Sequence, residues 1–250
     1  MLPTIVFIHG WGQSTQTWHA QVDYFGARHQ VLAVDLPGHG GASDLPLENW
    51  GEALLAMLPA EPVVLVGWSL GGMLALRLAT THAARLAGMV LLSTTPSFRL
   101  RPGWKHACTD EVFERFLESL EANAPRLLDR FFALMLQGDE LDRKQFLSIV
   151  RTAVDKRHPT STAGLRCGLK LLDELDLRAS LPGISLPTLV VHGQADAVTP
   201  IGAAQYLVGH MPAATLSVMQ AGHAPHLTQA ERFNTLLEEW CQNNISTLAR

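Results

Sequence analysis

The residues with the clearest chemical potential lie in the stretch Val63 to Gly72, Val-Val-Leu-Val-Gly-Trp-Ser-Leu-Gly-Gly. An apolar β-type run leads into Gly67-Trp68-Ser69-Leu70-Gly71, and helical spacing follows in Met73, Leu74, Leu76, Leu78 and Ala79. Strand, tight turn and helix around Gly-x-Ser-x-Gly is the arrangement of a nucleophile elbow. Such a turn strains the serine backbone, and Gly67 and Gly71 remove Cβ atoms where strand and helix come closest. Ser69 then faces a helix N-terminus, whose free N–H groups favour developing negative charge. A bare five-residue pattern occurs by chance in many chains; the flanking strand and helix give this one its meaning.

A serine hydroxyl is a poor nucleophile without a base, and the base needs an acid to fix its tautomer. Imidazole suits the base because its unperturbed pKa of ~6.5 lies near neutral pH. His223 and His226 both follow the last apolar run, and Asp35 and Asp196 each follow an earlier one. The order serine, acid, histidine that accompanies this elbow selects Asp196. Gly222 directly before His223 favours that histidine and leaves His226 to the start of the last helix. Asp35 reads as a turn former that binds nearby backbone N–H groups. His9 and His192, at strand ends, read as loop-holding histidines. The strand Thr4 to Ile8 runs into His9-Gly10-Trp11-Gly12, where the backbone can aim an N–H at the site. The expected oxyanion donors are the N–H groups of Trp11 and Leu70.

The elements that must position these groups are legible as alternating patterns. Apolar runs occur at 4–8, 30–34, 63–66, 87–92, 187–191 and 214–219. Helical patterns separate them at 18–25, 47–58 and 73–79, another helix falls before 214, and 231–241 closes the chain. Continuous apolar strands are those of a sheet buried on both faces, so the fold class is α/β with a mostly parallel central sheet flanked by helices. From Phe98 to about Asp176 no strand pattern appears. Three amphipathic stripes replace it: Phe113, Phe116, Leu117, Leu120; Leu127, Leu128, Phe131, Leu134, Met135 after Pro125; and Phe146, Ile149, Val150, Ala153. The expected division is a core of residues 1–97 and 177–250 with an all-helical cap, 98–176, laid over the edge where open α/β sheets bind ligands.

Composition narrows the function classes. With 47% hydrophobic and 17% charged residues, the 250-residue chain should bury a large core. A formal charge of −4 gives no general attraction to nucleic acid. No apolar run nears the ~20 residues of a membrane span. Met1-Leu2-Pro3-Thr4 lacks the basic start of a signal peptide, so a cytoplasmic protein is expected. Cys108, Cys167 and Cys241 are scattered, suggesting neither disulfides nor a metal site. Residues 99–178 hold 14 of the 19 Lys and Arg but 13 of the 23 Asp and Glu, a net +1 against −5 elsewhere. This basic tilt fits either an ordinary solvated face or a docking patch for an acidic partner.

The chain resembles the α/β-hydrolase family throughout, and within it the pimeloyl-[acyl-carrier protein] methyl ester esterases of biotin synthesis. The resemblance rests on His9-Gly10-Trp11-Gly12, Asp35-Leu36-Pro37-Gly38, Gly67-Trp68-Ser69-Leu70-Gly71-Gly72 and Ala221-Gly222-His223-Ala224-Pro225. It implies a serine esterase with Ser69, Asp196 and His223 as its triad and no cofactor. It also implies an acyl channel at Phe131, Phe132, Ala133, Leu134 and Met135, and contacts to the acyl-carrier protein from Arg126, Arg130 and Arg143. Leu147 stands where that group has a further arginine. The family usually has two strands before the His-Gly strand, where this chain begins, so one sheet edge is expected to be weaker. A monomer is expected. A related α/β hydrolase acting on small free esters, thioesters or carbon–carbon bonds is the alternative, and a non-catalytic small-molecule-binding protein on this fold a second.

Overall fold

The computed structural model describes residues 2–245; residue 1 and residues 246–250, the tail of the expected core, lie outside the described residues. Six strands form one sheet: β1 Ile5–Ile8, β2 Val31–Val34, β3 Val63–Trp68, β4 Leu86–Leu92, β5 Thr188–Gly193 and β6 Ala214–Met219. Their order is β2-β1-β3-β4-β5-β6, and every pairing is parallel. The central strands β1, β3 and β5 are buried at every residue, as continuous Ile, Val and Leu runs require, whereas the edge strand β2 is buried only at Val34.

Helices cover both faces: α1 His19–Gly26, α2 Trp50–Met57, α3 Leu70–Thr81, then α4 Asp110–Met135, α5 Arg143–Ala153 and α6 Thr162–Glu174 between β4 and β5, and finally α7 Ile201–His210, α8 Pro225–Thr228 and α9 Ala230–Asn244. His226 therefore lies in a short helix of its own rather than at the start of the last one. The two amphipathic stripes expected around Pro125 belong to one long element, α4, broken at Asn123. The Asn123 side chain accepts the Arg126 N–H at 3.0 Å and so starts the second half as an N-cap. Helix α6 has no counterpart among the expected stripes. Its Leu165, Leu169 and Leu172 do have helical spacing, but Gly164 and Gly168 weaken the signal. Those glycines instead let α6 lie close: a Cβ on Gly168 would sit 2.6 Å from the Trp11 ring.

At the elbow, a Cβ on Gly71 would lie 2.5 Å from Ile8 O and 2.6 Å from His9 O, both backbone atoms of the neighbouring strand end. Gly71→Ala should therefore force α3 and β1 apart and cost on the order of 1–3 kcal/mol. Urea unfolding checks this; a midpoint equal to the parent's would mean the contact yields without strain.

Candidate active site

Ser69 ends β3 and begins α3 with φ 54° and ψ −115°, a backbone region that non-glycine residues occupy only when the surroundings hold them there. Its N–H donates to Leu92 O at 2.9 Å, and the Thr94 hydroxyl donates to its carbonyl at 2.6 Å. The Leu70 and Trp11 N–H groups find no acceptor among the described residues. The Trp11 ring donates to Leu165 O of α6 at 2.9 Å, which fixes the loop after β1 from above. From the side, the Gly12 N–H donates to Nε2 of buried His39 at 3.2 Å.

Asp196 follows β5 and its side chain is fully buried. Oδ1 accepts the N–H groups of Val198 and Thr199 at 2.8 and 2.9 Å. Oδ2 accepts the Thr199 hydroxyl and His223 Nδ1, each at 2.8 Å, with His192 Nε2 at 3.3 Å. Burial pushes this carboxyl up, but the attraction of His223 and the bonds from both histidines outweigh it, so it lies below the ordinary carboxylate range. With Nδ1 bonded to Asp196, Nε2 is the free nitrogen of His223; it is buried and has no partner among the described residues. No hydrogen bond joins it to Ser69, and such catalytic bonds commonly tighten only when substrate is present. Trp68, beside Ser69 in the chain, donates from its ring to His223 O at 2.9 Å, so the elbow and the histidine loop are tied together.

The competing groups are placed elsewhere. His226 is buried between Trp18 and Trp68, ring centroids 4.4 and 4.5 Å away, with neither nitrogen bonded. Asp35 accepts the Thr15 N–H at 2.7 Å and supports a loop. His9 Nε2 accepts the Leu36 N–H at 3.0 Å, and its Nδ1 bonds Gly10 O. The Asp196 partner Thr199 and the loop support His39 had no distinguishing signal in the sequence, because their roles depend on chain segments brought together only by folding.

An apolar cavity of about 70 Å³ lies beside Trp11, lined by Phe98, Phe113, Phe116, Phe131, Leu134, Leu169, Leu172, Ala197 and Val198 among others. Phe116, Phe131 and Leu134 also line an adjoining surface groove of about 270 Å³ that carries Arg115 and Arg130. Of the other expected channel residues, Phe132 lines a separate cavity next to Gly12, Ala133 is exposed, and Met135 is buried behind His223, whose N–H its carbonyl accepts at 2.9 Å. Arg126, Arg130 and Arg143 are exposed. The arginine ion pairs of this region fall instead on Arg99, Arg166 and Arg178. Leu147 is 44% exposed. Among the described residues no cluster of His, Cys, Asp and Glu is arranged to hold a metal ion.

The buried histidines set an acid dependence of stability. Burial, then His39, lowers the pKa of His9 from 6.5 to about 3, and burial lowers that of His39 to about 4. Below pH 6.5 the unfolded chain binds protons that these folded rings refuse, so stability falls as pH drops toward about 4, by up to about 1.4 kcal/mol per pH unit for each ring. The contribution of Asp196 is complete above 3.8 and is lost only in stronger acid. Urea unfolding at several pH values should show a shallower fall for His39→Gln; equal slopes would mean that His39 is not held neutral.

Residues 5–236 match the alpha/beta hydrolase family. The chain is 37% identical to the pimeloyl-[acyl-carrier protein] methyl ester esterase of Nitrosomonas europaea, covering 92% of each chain. It is 36% identical to the protein of that name from Aromatoleum aromaticum, covering 95% of this chain and 97% of the relative. An esterase structure from Exiguobacterium antarcticum superposes with a TM-score of 0.84 at 23% identity, covering 96% of this chain and 92% of the other, a likeness of fold. The parallel sheet, the match over nearly its full length and these relatives agree: the chain belongs to the alpha/beta hydrolase family and, within it, groups with the pimeloyl-[acyl-carrier protein] methyl ester esterases.

Proposed function

We propose that this protein is a serine carboxylesterase that hydrolyses the methyl ester of pimeloyl-[acyl-carrier protein] in biotin synthesis. The observation that carries the chemistry is the 2.8 Å bond from His223 Nδ1 to Asp196, which leaves Nε2 free to act as a base next to the elbow. Ser69 Oγ attacks the ester carbonyl as His223 Nε2 takes its proton. The oxyanion is bound by the Trp11 and Leu70 N–H groups, each donor contributing ~3 kcal/mol in comparable sites. His223 returns the proton to the leaving methoxide, releasing methanol. It then takes a proton from water, whose oxygen attacks the acyl-enzyme, and returns that proton to Ser69 as the carboxylic acid leaves and gives up its remaining proton to solvent.

Residues 98–176 act as a cap in this reading. The setting of the apolar cavity supports a tethered substrate over a small free ester: it shares Phe116, Phe131 and Leu134 with an Arg-bearing surface groove, as a chain still attached to a carrier would use. Phe131 and Leu134 pack the acyl chain, and Arg126, Arg130 and Arg143 meet the acidic carrier. The reading takes the protein to be cytoplasmic and monomeric, and no helix among the described residues is long and apolar enough to cross a membrane.

Ser69→Ala should lower hydrolysis of a chromogenic ester on the order of 10⁴-fold or more; parent-like turnover would remove Ser69 as nucleophile. Replacing Arg126 and Arg130 together with Glu should spare that small ester and lower kcat/KM for the carrier-bound methyl ester about 10-fold or more, since like-charge contacts cost several kcal/mol. Equal effects on both substrates would remove the carrier from the proposal.

A further inference from the structure

The C-terminal end of α4 and the turn that follows it are bonded directly to the loop that carries His223. Met135 O accepts the His223 N–H at 2.9 Å, and Asp139 Oδ2 accepts the Gly222 N–H at 2.8 Å. The fit leaves no slack: a Cβ on Gly222 would lie 2.4 Å from Gln137 O and 2.9 Å from both Asp139 Oδ2 and Met135 O. One on Gly138 would lie 2.6 Å from Ala195 Cβ, next to Asp196. Asp139 is half-buried, and burial pushes its carboxyl above the ordinary carboxylate value. A carboxylate in that position makes a charge-assisted bond to a main-chain N–H, stronger than a neutral one.

We propose that Asp139 is a positioning residue, which holds the backbone at Gly222 and His223 so that Nδ1 stays on Asp196 and Nε2 stays on the Ser69 side. This rests on His223 being the base. It also links two parts of the site, because α4 carries Phe131 and Leu134 of the apolar cavity as well as the end that holds the histidine. The helix that contacts the acyl chain thereby bears on the placement of the base.

The test compares Asp139→Ala, which removes the acceptor, with Asp139→Asn, which keeps an acceptor oxygen. On a chromogenic ester, with active sites counted by phosphonate labelling, the Ala variant should lose about 10- to 100-fold in kcat, the scale of a small misplacement of a catalytic group. KM should stay near the parent's, and the Asn variant should recover most of the rate. A lower melting temperature with parent-like kcat per labelled site would show a structural role only and overturn the proposal. So would an Asn variant as slow as Ala. Ser69→Ala, run alongside, separates the two ideas: if it is inactive while Asp139→Ala turns over like the parent, the esterase reading stands and the positioning role falls.

Discussion

A buried negative charge governs this site. An ionised carboxylate removed from water is tolerated only when its oxygens are fully bonded, and Asp196 meets that demand with two backbone N–H groups, a hydroxyl and two imidazoles. The loop after β5 supplies the first three from within four residues. The remaining lone pairs then dictate which nitrogen of His223 points inward. The same charge thus closes the turn at Val198 and Thr199 and selects the tautomer whose other nitrogen is free. His192 fills the flank from the end of its own strand, donating chiefly to Thr199 O at 2.8 Å. It acts as a support and not as a second base.

Around this charge, the sheet and the helical layer divide the work. Parallel strands bring the ends of β1, β3 and β5 to one rim, so groups 9, 69 and 196 residues along the chain become neighbours. The rim is then stiffened by polar contacts that avoid charge. His9 and His39 are buried and neutral, each accepting a main-chain N–H through Nε2. His226 serves as an aromatic spacer between two tryptophans. The tryptophans contribute through their ring N–H groups, Trp11 to α6 and Trp68 to the His223 loop. Each large ring therefore fills volume and also connects two segments distant in sequence.

The sheet was legible in the sequence because strands buried on both faces must be apolar without interruption, as the wholly buried β1 and β3 are over Ile5–Ile8 and residues 63–66. The choice of Asp196 over Asp35 rests on order along the chain, and that of His223 over His226 on Gly222 directly before it; the hydrogen bonds place His223 on Asp196 and Asp35 on Thr15, while the His226 ring nitrogens have no partner among the described residues. Less was legible in the helical segment. Helix α6 was hidden by the glycines that seat it, since a residue chosen for close approach carries no hydrophobic signal. The join within α4 depends on one capping side chain, Asn123, between two stripes that look independent. His39 and Thr199 escaped notice because nothing local distinguishes them from ordinary loop residues.

The seating of α6 has a consequence for access. Its Leu165 carbonyl accepts the Trp11 ring N–H, and a Cβ on Gly168 would lie 2.6 Å from that ring and 3.3 Å from the Leu70 side chain. Swinging α6 outward would break the hold on the Trp11 ring and open the packing beside Leu70. Any movement of α6 that opens this side is therefore coupled to the loop after β1 and to the start of α3.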